Sequence, residues 1–172
     1  YLNLKYLSSL KGSFTSFVNL RTLDLSCNPR VRFEPAMFDG LMNLKSLNLS
    51  NNPIFDQNTP CEILNGRFFS LEKLHLDETK SSKLILNKEI FRDLANLAEL
   101  SVSFNYLSIE QDAFVYLKRL RRLIMTNCAL MKLPDGLFSP LVSLDLMDLS
   151  NNGITEMNVN TFKGCERLRE LR

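Results

Sequence analysis

Residues 144–154, LDLMDLSNNGI, form the stretch of sequence that decides the fold. In a short β-strand, Met147 and Leu149 face a core on one side while the residues beside them face outward. Asn152 then ends the strand, because an asparagine side chain can turn the chain and hydrogen-bond neighbouring backbone groups. A single unit of this kind has nothing against which to bury its apolar face. The stretch therefore predicts one turn of a stack.

The same pattern recurs along the whole chain. Its first leucines are Leu20, Leu44, Leu71, Leu97, Leu120, Leu144 and Leu168, and its asparagine position holds Asn28, Asn52, Thr79, Asn105, Cys128 and Asn152. Neighbouring first leucines are 23 to 27 residues apart, which fits the roughly 20 to 29 residues of leucine-rich repeats and not the roughly 33 or 34 of ankyrin or tetratricopeptide arrays. We predict one array over residues 1–172, with a degenerate repeat at 1–19, six repeats over 20–167, the start of a seventh at 168–172, and no terminal caps.

A phenylalanine marks the second half of most repeats. It lies six residues before the next first leucine at Phe38, Phe91, Phe114, Phe138 and Phe162. Stacked one per turn, these rings are expected to form an apolar column on the outer, convex side of the core. The segment before each phenylalanine has no sustained helical period, which favours short 3₁₀ or irregular structure. The predicted fold is a curved, right-handed α/β solenoid, or horseshoe, with a parallel β-sheet on its concave side.

Composition and cysteine spacing exclude several classes of function. A net charge of +2 does not indicate nucleic acid or an anionic membrane as the default partner. No run of residues approaches the about 18 consecutive apolar residues of a membrane-spanning helix, so any membrane span is expected outside this chain. No nucleophile–base pair or phosphate-binding loop occurs at usable spacing, so neither enzymatic activity nor a cofactor is predicted.

The four cysteines form no C-x-x-C motif, and a thiolate metal site is therefore not predicted. Cys128 stands at the asparagine position and Cys165 at a leucine position, so both are expected to be buried thiols. A disulfide between Cys27 and Cys61 would require an unusual loop, because the first is expected at a strand end and the second in an outer segment.

A repeat near 24 residues with the pattern x-x-a-F-x-x-L-x-x-L resembles the extracellular animal class of leucine-rich repeats. Within that class, the irregular repeat lengths and the opening YLNLK at residues 1–5 resemble a Toll-like receptor ectodomain, and the resemblance covers essentially the whole chain. It implies a pattern-recognition receptor of innate immunity. A protein or microbial ligand would bring two receptor chains together as a homo- or heterodimer, and a signalling domain outside this chain would respond. The implied location is the extracellular or endosomal-lumenal part of a membrane receptor.

Other proteins use similar repeats, among them matrix proteoglycans, neuronal adhesion proteins and variable lymphocyte receptors. The alternative function is therefore an adhesion, matrix or antigen-binding protein, possible also in secreted form, that uses its concave face without such signalling. A membrane span followed by a Toll/interleukin-1 receptor domain in the gene would decide for the receptor.

The outward residues of the predicted strands supply the candidate ligand-binding surface. Acidic residues gather around the third repeat beside basic residues of the fifth, and three apolar residues stand where water is expected. The candidates are Glu72, His75, Asp77, Glu99, Phe104, Arg122, Ile124 and Leu146. Apolar anchors beside paired charges are typical of recognition surfaces, although a solvated sheet with scattered apolar residues is an equal interpretation.

His75 and Asp77 also invite interpretation as a metal site. They share one strand face about 7 Å apart, which is too far to coordinate one ion without a neighbour's help. A pH-sensitive contact through His75, the only histidine, is the better hypothesis.

Asn48 opens the only N-x-S/T sequon of the chain. A glycan on Asn48 would project from a concave strand and make that part of the sheet a poor protein-binding surface. Ligand binding would then be expected nearer the later repeats. Alternatively, Asn48 is an ordinary strand residue.

The two longest repeats carry extra residues, which are expected to leave the stack as outer loops around 55–61 and 80–88. Irregular repeats of Toll-like receptors often contribute to ligand or dimer contacts, so the resemblance implies a set of loop candidates. These are Phe55, Lys80, Lys83 and Lys88. Neutral loop variation is the simpler alternative, because surface insertions cost little free energy.

Overall fold

A parallel sheet of eight strands joins the stacked turns in the computed structural model. The structure describes residues 1–54, 60–79, 83–158 and 160–172, with the side chains of Pro60 and Cys61 left out. Its strands are β1 Leu2–Asn3, β2 Thr22–Asp24, β3 Ser46–Asn48, β4 Lys73–His75, β6 Glu99–Ser101, β8 Arg122–Ile124, β9 Leu146–Asp148 and β10 Glu170–Leu171. They lie side by side in that order. Each strand therefore belongs to one turn of the stack.

The second leucine of each repeat pairs with its counterpart in the next turn. Leu23 pairs with Leu47 and Leu47 with Leu74, and the series continues through Leu100, Leu123 and Met147. These central residues are fully buried. Because side chains alternate across a strand, the residues on either side of each central residue point to the opposite face. The predicted leucine-rich repeat solenoid is confirmed.

Short helical turns lie on the side of the core opposite the sheet. They are a 3₁₀ helix at Pro35–Phe38, α1 at Pro60–Leu64 and α2 at Lys88–Phe91. The side-chain oxygen of Asn87 caps α2 by accepting a hydrogen bond from the backbone N–H of Ile90 at 3.2 Å. The expectation of short 3₁₀ or irregular segments in place of long helices is correct.

A second, two-stranded sheet was not predicted. Strand β5 at Leu84–Leu86 pairs in parallel with β7 at Leu107–Ile109. Leu84 and Leu86 are buried while Ile85 between them is exposed, and this alternation favours a strand. The expectation of an outer loop over residues 80–88 is therefore wrong for 84–88. Phe55 and Lys80, which were predicted in loops, lie outside the described residues.

The phenylalanine rings stack along the core in two runs. Ring centroids of Phe91, Phe114, Phe138 and Phe162 are separated in turn by 6.0, 6.2 and 6.0 Å. In the other run, Phe14, Phe38 and Phe68 are separated by 6.3 and 5.7 Å. Phe68 lies three residues before Leu71, where other repeats have leucine. The predicted column included only phenylalanines six residues before a first leucine, and therefore omitted Phe68. Aromatic contacts of this length contribute stability beyond the burial of area alone.

A ladder of side-chain hydrogen bonds joins successive turns where the strands end. Asn52 Oδ1 accepts the backbone N–H of Asn28 at 2.7 Å, and Asn52 Nδ2 donates to the carbonyls of Leu25 and Leu49. The side chains of Asn28, Asn105 and Asn152 likewise accept a backbone N–H of the preceding turn and donate to carbonyls of both turns. Buried backbone groups of neighbouring turns are satisfied in this way.

Two of the cysteines are buried free thiols at core positions. Cys128 replaces asparagine in the ladder. Its Sγ lies 3.3 Å from the carbonyl oxygens of both Val102 and Thr126, and its single S–H is shared between them. Burial raises the pKa of the Cys128 thiol, and likewise that of Cys165, to about 11. Cys27 is also free and is partly exposed.

Candidate functional site

Glu99 lies at the centre of the charged residues on the outward face of the eight-stranded sheet, which we call the sheet face. Three basic side chains surround its carboxylate. Lys73 Nζ lies 3.7 Å away, His75 Nε2 3.6 Å away and Arg122 Nε 3.7 Å away. They come from β4 and β8, the two strands that flank β6. The strand register therefore gathers Glu99, His75 and Arg122, three of the predicted candidates, into one cluster.

The other acidic candidates are also compensated. Glu72 forms an ion pair with Lys45 at 2.7 Å. Asp77 accepts hydrogen bonds from the Ser101 hydroxyl at 2.6 Å and the Ser103 backbone N–H at 2.7 Å. Within the described part of the chain, no group of three or more His, Cys, Asp or Glu residues is placed to hold a metal ion. The acidic zone is thus a set of paired charges and hydrogen-bonded side chains.

The three apolar candidates differ in exposure. Phe104 has 61% of its surface exposed, and Ile124 is half-buried. Leu146 has only 8% exposed, so the expectation that it faces water is wrong. The register places Leu146 between Arg122 of β8 and Glu170 of β10. Those longer side chains flank it, and their aliphatic stems can cover an apolar neighbour.

A left-handed backbone position follows the strand in six successive turns. Its residues are Cys27, Asn51, Glu78, Phe104, Asn127 and Asn151, with φ between 49° and 61°. Asparagine tolerates this conformation, whereas a bulky side chain in it is a genuine outlier. Phe104 has a φ of 57°. An exposed aromatic ring is therefore held in a conformation that its own backbone disfavours.

Phe104 stands at one side of a groove of about 440 Å³ that crosses the ends of the early strands. Two other candidates, His75 and Asp77, also line it. The remaining lining residues are Ser26, Cys27, Asn48, Ser50, Asn51, Glu78 and Ser103. The groove was not predicted from the sequence. The residues directly before the asparagine positions, such as Asn51 and Phe104, line it, and that repeat position could have indicated where it lies. The lining combines one aromatic ring with hydroxyl, amide and carboxylate groups, which suits recognition of a polar surface with an apolar anchor.

Asn48 forms part of the groove wall. Its side-chain oxygen accepts a hydrogen bond from the backbone N–H of Ser50 at 3.0 Å, and its side chain is half-buried. Glycosylation of Asn48 stays a prediction. A glycan attached there would extend from the wall of the groove.

Two loop candidates flank the second sheet and α2. Lys83 is exposed immediately before β5. Lys88 begins α2 and forms an ion pair with Asp112 at 2.9 Å. The hydrogen bond with Asp112 raises the pKa of Lys88. Both lysines thus lie outside the strands of the eight-stranded sheet, and neither lines the groove.

No helix among residues 1–54, 60–79, 83–158 and 160–172 has the length and apolar character needed to cross a membrane.

Comparison with known proteins gives three findings. The model of the leucine rich repeat family matches residues 2–54 and 118–172. Toll-like receptor 3 of Homo sapiens is 30% identical over an alignment that covers 95% of this chain and 23% of that receptor. Asporin of Bos taurus is 28% identical, with 88% of this chain and 39% of asporin covered.

Among solved structures, the Toll–Spatzle complex of Drosophila superposes with a TM-score of 0.80 at 24% identity, covering 92% of this chain and 21% of that chain. At that identity the superposition shows the fold alone. The chain thus spans less than two fifths of each relative.

Proposed function

The chain belongs to the leucine-rich repeat family, with repeats of the Toll-like receptor type, and from this premise we propose that it is a ligand-binding part of the extracellular region of an innate immune receptor. The groove beside Phe104 and the charge cluster around Glu99 form its contact surface. The ligand brings two receptor chains together, and a membrane span and signalling domain elsewhere in the protein carry the response. The proposed role is binding and not catalysis.

The observation that carries the proposal is the exposed, left-handed Phe104. A ring with 61% of its surface exposed contributes little to the core, and its φ of 57° costs backbone energy. A structural role accounts for neither property. Aromatic side chains beside a groove are frequent anchors of protein interfaces, where a few residues dominate the affinity.

A protein ligand fits the groove better than a small apolar molecule does. The lining offers hydroxyl, amide and carboxylate groups of residues such as Ser26, Asn51 and Glu78, and protein backbones supply both donors and acceptors to such groups. The similarity to the Toll chain, which is solved in complex with Spatzle, is consistent with a protein ligand.

The test measures binding by full-length protein produced in animal cells. The immobilised protein is screened against individually purified secreted host proteins, a bacterial lipopeptide and single-stranded RNA. For a ligand that binds, the Phe104→Asn variant is expected to weaken affinity by about 30-fold or more, as truncation of an interface anchor does. Tyr106→Ser is the matched control, because it removes an exposed aromatic ring two residues away that does not line the groove. Equal affinity of Phe104→Asn and wild type for every bound ligand would overturn the proposed surface.

The second candidate function, an adhesion or matrix protein, is favoured by the similarity to asporin. Energy transfer between two differently labelled copies of the full-length protein separates the two functions. A ligand-dependent rise in energy transfer supports the receptor. Ligand binding without any change in energy transfer supports the adhesion or matrix protein.

A further inference from the structure

A cleft of about 530 Å³ lies at the amino-terminal ends of strands β8, β9 and β10 of the eight-stranded sheet. Arg121 comes directly before β8, Asp145 before β9 and Arg169 before β10, and all three line the cleft with Ser143, Glu166 and Arg167. The groove beside Phe104 lies at the carboxyl-terminal ends of the earlier strands of the same sheet. The two surfaces share no lining residue.

The cleft has a simple origin in the repeat register. The turn that carries β9 bears the short side chains of Ser143 and Asp145 at positions where the adjacent turns bear arginines. Arg121 and Arg169 are two strands apart, which sets their backbones about 10 Å from each other. The short side chains between them form the floor, and the long ones form the walls.

Three arginine side chains line the cleft. Arg121, Arg167 and Arg169 are exposed, and within the described part of the chain they make neither an ion pair nor a side-chain hydrogen bond. By contrast, Arg122 forms an ion pair with Glu99 and Arg172 with Asp148. Three exposed guanidinium groups around one concavity form a site for anionic groups, because guanidinium binds carboxylate and phosphate bidentately.

We propose that this cleft binds an acidic segment of a protein partner in polyproline II conformation, with two carboxylates three residues apart on Arg121 and Arg169. Three residues of polyproline II make one turn of about 9 Å and bring the side chain back to the same face, which matches the separation of about 10 Å between the two arginine backbones. The proposal concerns a second surface and does not depend on the groove beside Phe104.

The carboxylates of the cleft decide between an acidic peptide and a polyphosphate such as nucleic acid. Asp145 and Glu166 reduce the local charge from +3 to +1 and repel a continuous row of phosphates. They also require hydrogen-bond donors, which a peptide supplies through its backbone N–H groups and a phosphate backbone lacks. Nucleic-acid affinity comes mainly from neutralising many phosphates with cations, and this cleft offers few.

The test uses the full-length protein and fluorescence anisotropy with two labelled probes. One is the peptide (Glu-Gly-Ser)₄, whose glutamates recur every three residues, and the other is a twelve-residue oligothymidylate. The peptide is expected to bind the wild type, and the double variant Arg121→Gln/Arg169→Gln is expected to weaken its binding about tenfold, as loss of two charge-assisted contacts predicts. The matched control Arg30→Gln/Arg32→Gln removes the same charge from two exposed residues in the early part of the chain and should retain wild-type affinity.

A charge reversal provides the second measurement. The variant Arg121→Glu/Arg169→Glu is expected to lose the acidic peptide and to bind (Lys-Gly-Ser)₄ more tightly than the wild type does. Equal loss in the Arg30/Arg32 control, absence of peptide binding by the wild type, or tighter binding of the oligothymidylate through the same two arginines would each overturn the proposal.

Discussion

The side-chain oxygen of Asn152 accepts a hydrogen bond from the backbone N–H of Cys128 at 2.9 Å. The ladder between turns therefore continues past a turn that has no asparagine of its own. The thiol of Cys128 replaces the missing amide with one S–H, which two carbonyls share at 3.3 Å, whereas an amide nitrogen carries two stronger donors.

Restoring asparagine to the ladder should therefore stabilise the protein. Cys128→Asn is expected to raise the free energy of unfolding by about 1 kcal/mol, because an amide can donate to the Val102 carbonyl and accept from the turn before it. Urea denaturation measures the change. Cys165→Asn is the matched control with the opposite sign, since Cys165 occupies a buried leucine position and an amide there lacks partners. A loss of stability in Cys128→Asn would show that the ladder does not accept an amide at this turn.

Phe104 should be replaceable with a gain in stability. Phe104→Asn puts the residue type that tolerates a left-handed backbone at a φ of 57°, and is expected to stabilise the protein by about 1 kcal/mol. The reciprocal change Asn127→Phe, at a φ of 54° in the next turn, should destabilise it by a similar amount. Thermal unfolding followed by circular dichroism measures both. A fall in melting temperature for Phe104→Asn would mean that the ring stabilises the fold.

Gly40 should be intolerant of alanine. Its φ is 85°, and an added Cβ would lie 2.8 Å from the backbone Cα of Thr15 in the preceding turn. Gly40→Ala is expected to cost more than about 2 kcal/mol, because a backbone neighbour cannot move aside without disturbing the stack. Gly66→Ala isolates the effect of backbone conformation alone, since its φ is 74° and nothing lies within 4 Å of the added Cβ. Equal destabilisation of the two variants would contradict the proposed collision.

Stability should decrease between about pH 9 and pH 11. Burial raises the pKa of the Cys128 and Cys165 thiols from 9.0 to about 11. A folded-state pKa above the unfolded value gives stability that is fully present below pH 9 and is lost as the pH rises through 11. Urea denaturation across this range should show the fall, and the double variant Cys128→Ala/Cys165→Ala should show a smaller slope. Parallel slopes for variant and wild type would assign the pH dependence to other groups.

The fold could be predicted from sequence because the core pattern is local. Each repeat carries its own central leucine, or methionine at Met147, so the position of every strand follows from a spacing such as Leu97 to Leu100. The second sheet could not be predicted so directly. Leu84 and Leu86 follow an insertion, and their partner strand depends on how far the inserted residues displace the chain.

The candidate site was predictable in part. The alternation of side chains along each predicted strand identified Glu99 and Arg122 as outward residues, which the structure places on the sheet face. The burial of Leu146 depends on the side chains of two neighbouring strands, which one repeat does not specify. The left-handed backbone of Phe104 could have been inferred, because asparagine occupies the same repeat position in Asn51, Asn127 and Asn151.

Among the described residues, the pairing of the eight-stranded sheet and the hydrogen-bond ladder join each turn to the turns directly beside it. A mechanical force applied along the stack would therefore load one boundary between turns at a time, and the molecule should yield turn by turn. Each released turn of about 24 residues would add about 80 Å of extended chain. Tension on such an array would be absorbed as a series of discrete extensions, so distant turns would keep their surfaces intact while the loaded turns open.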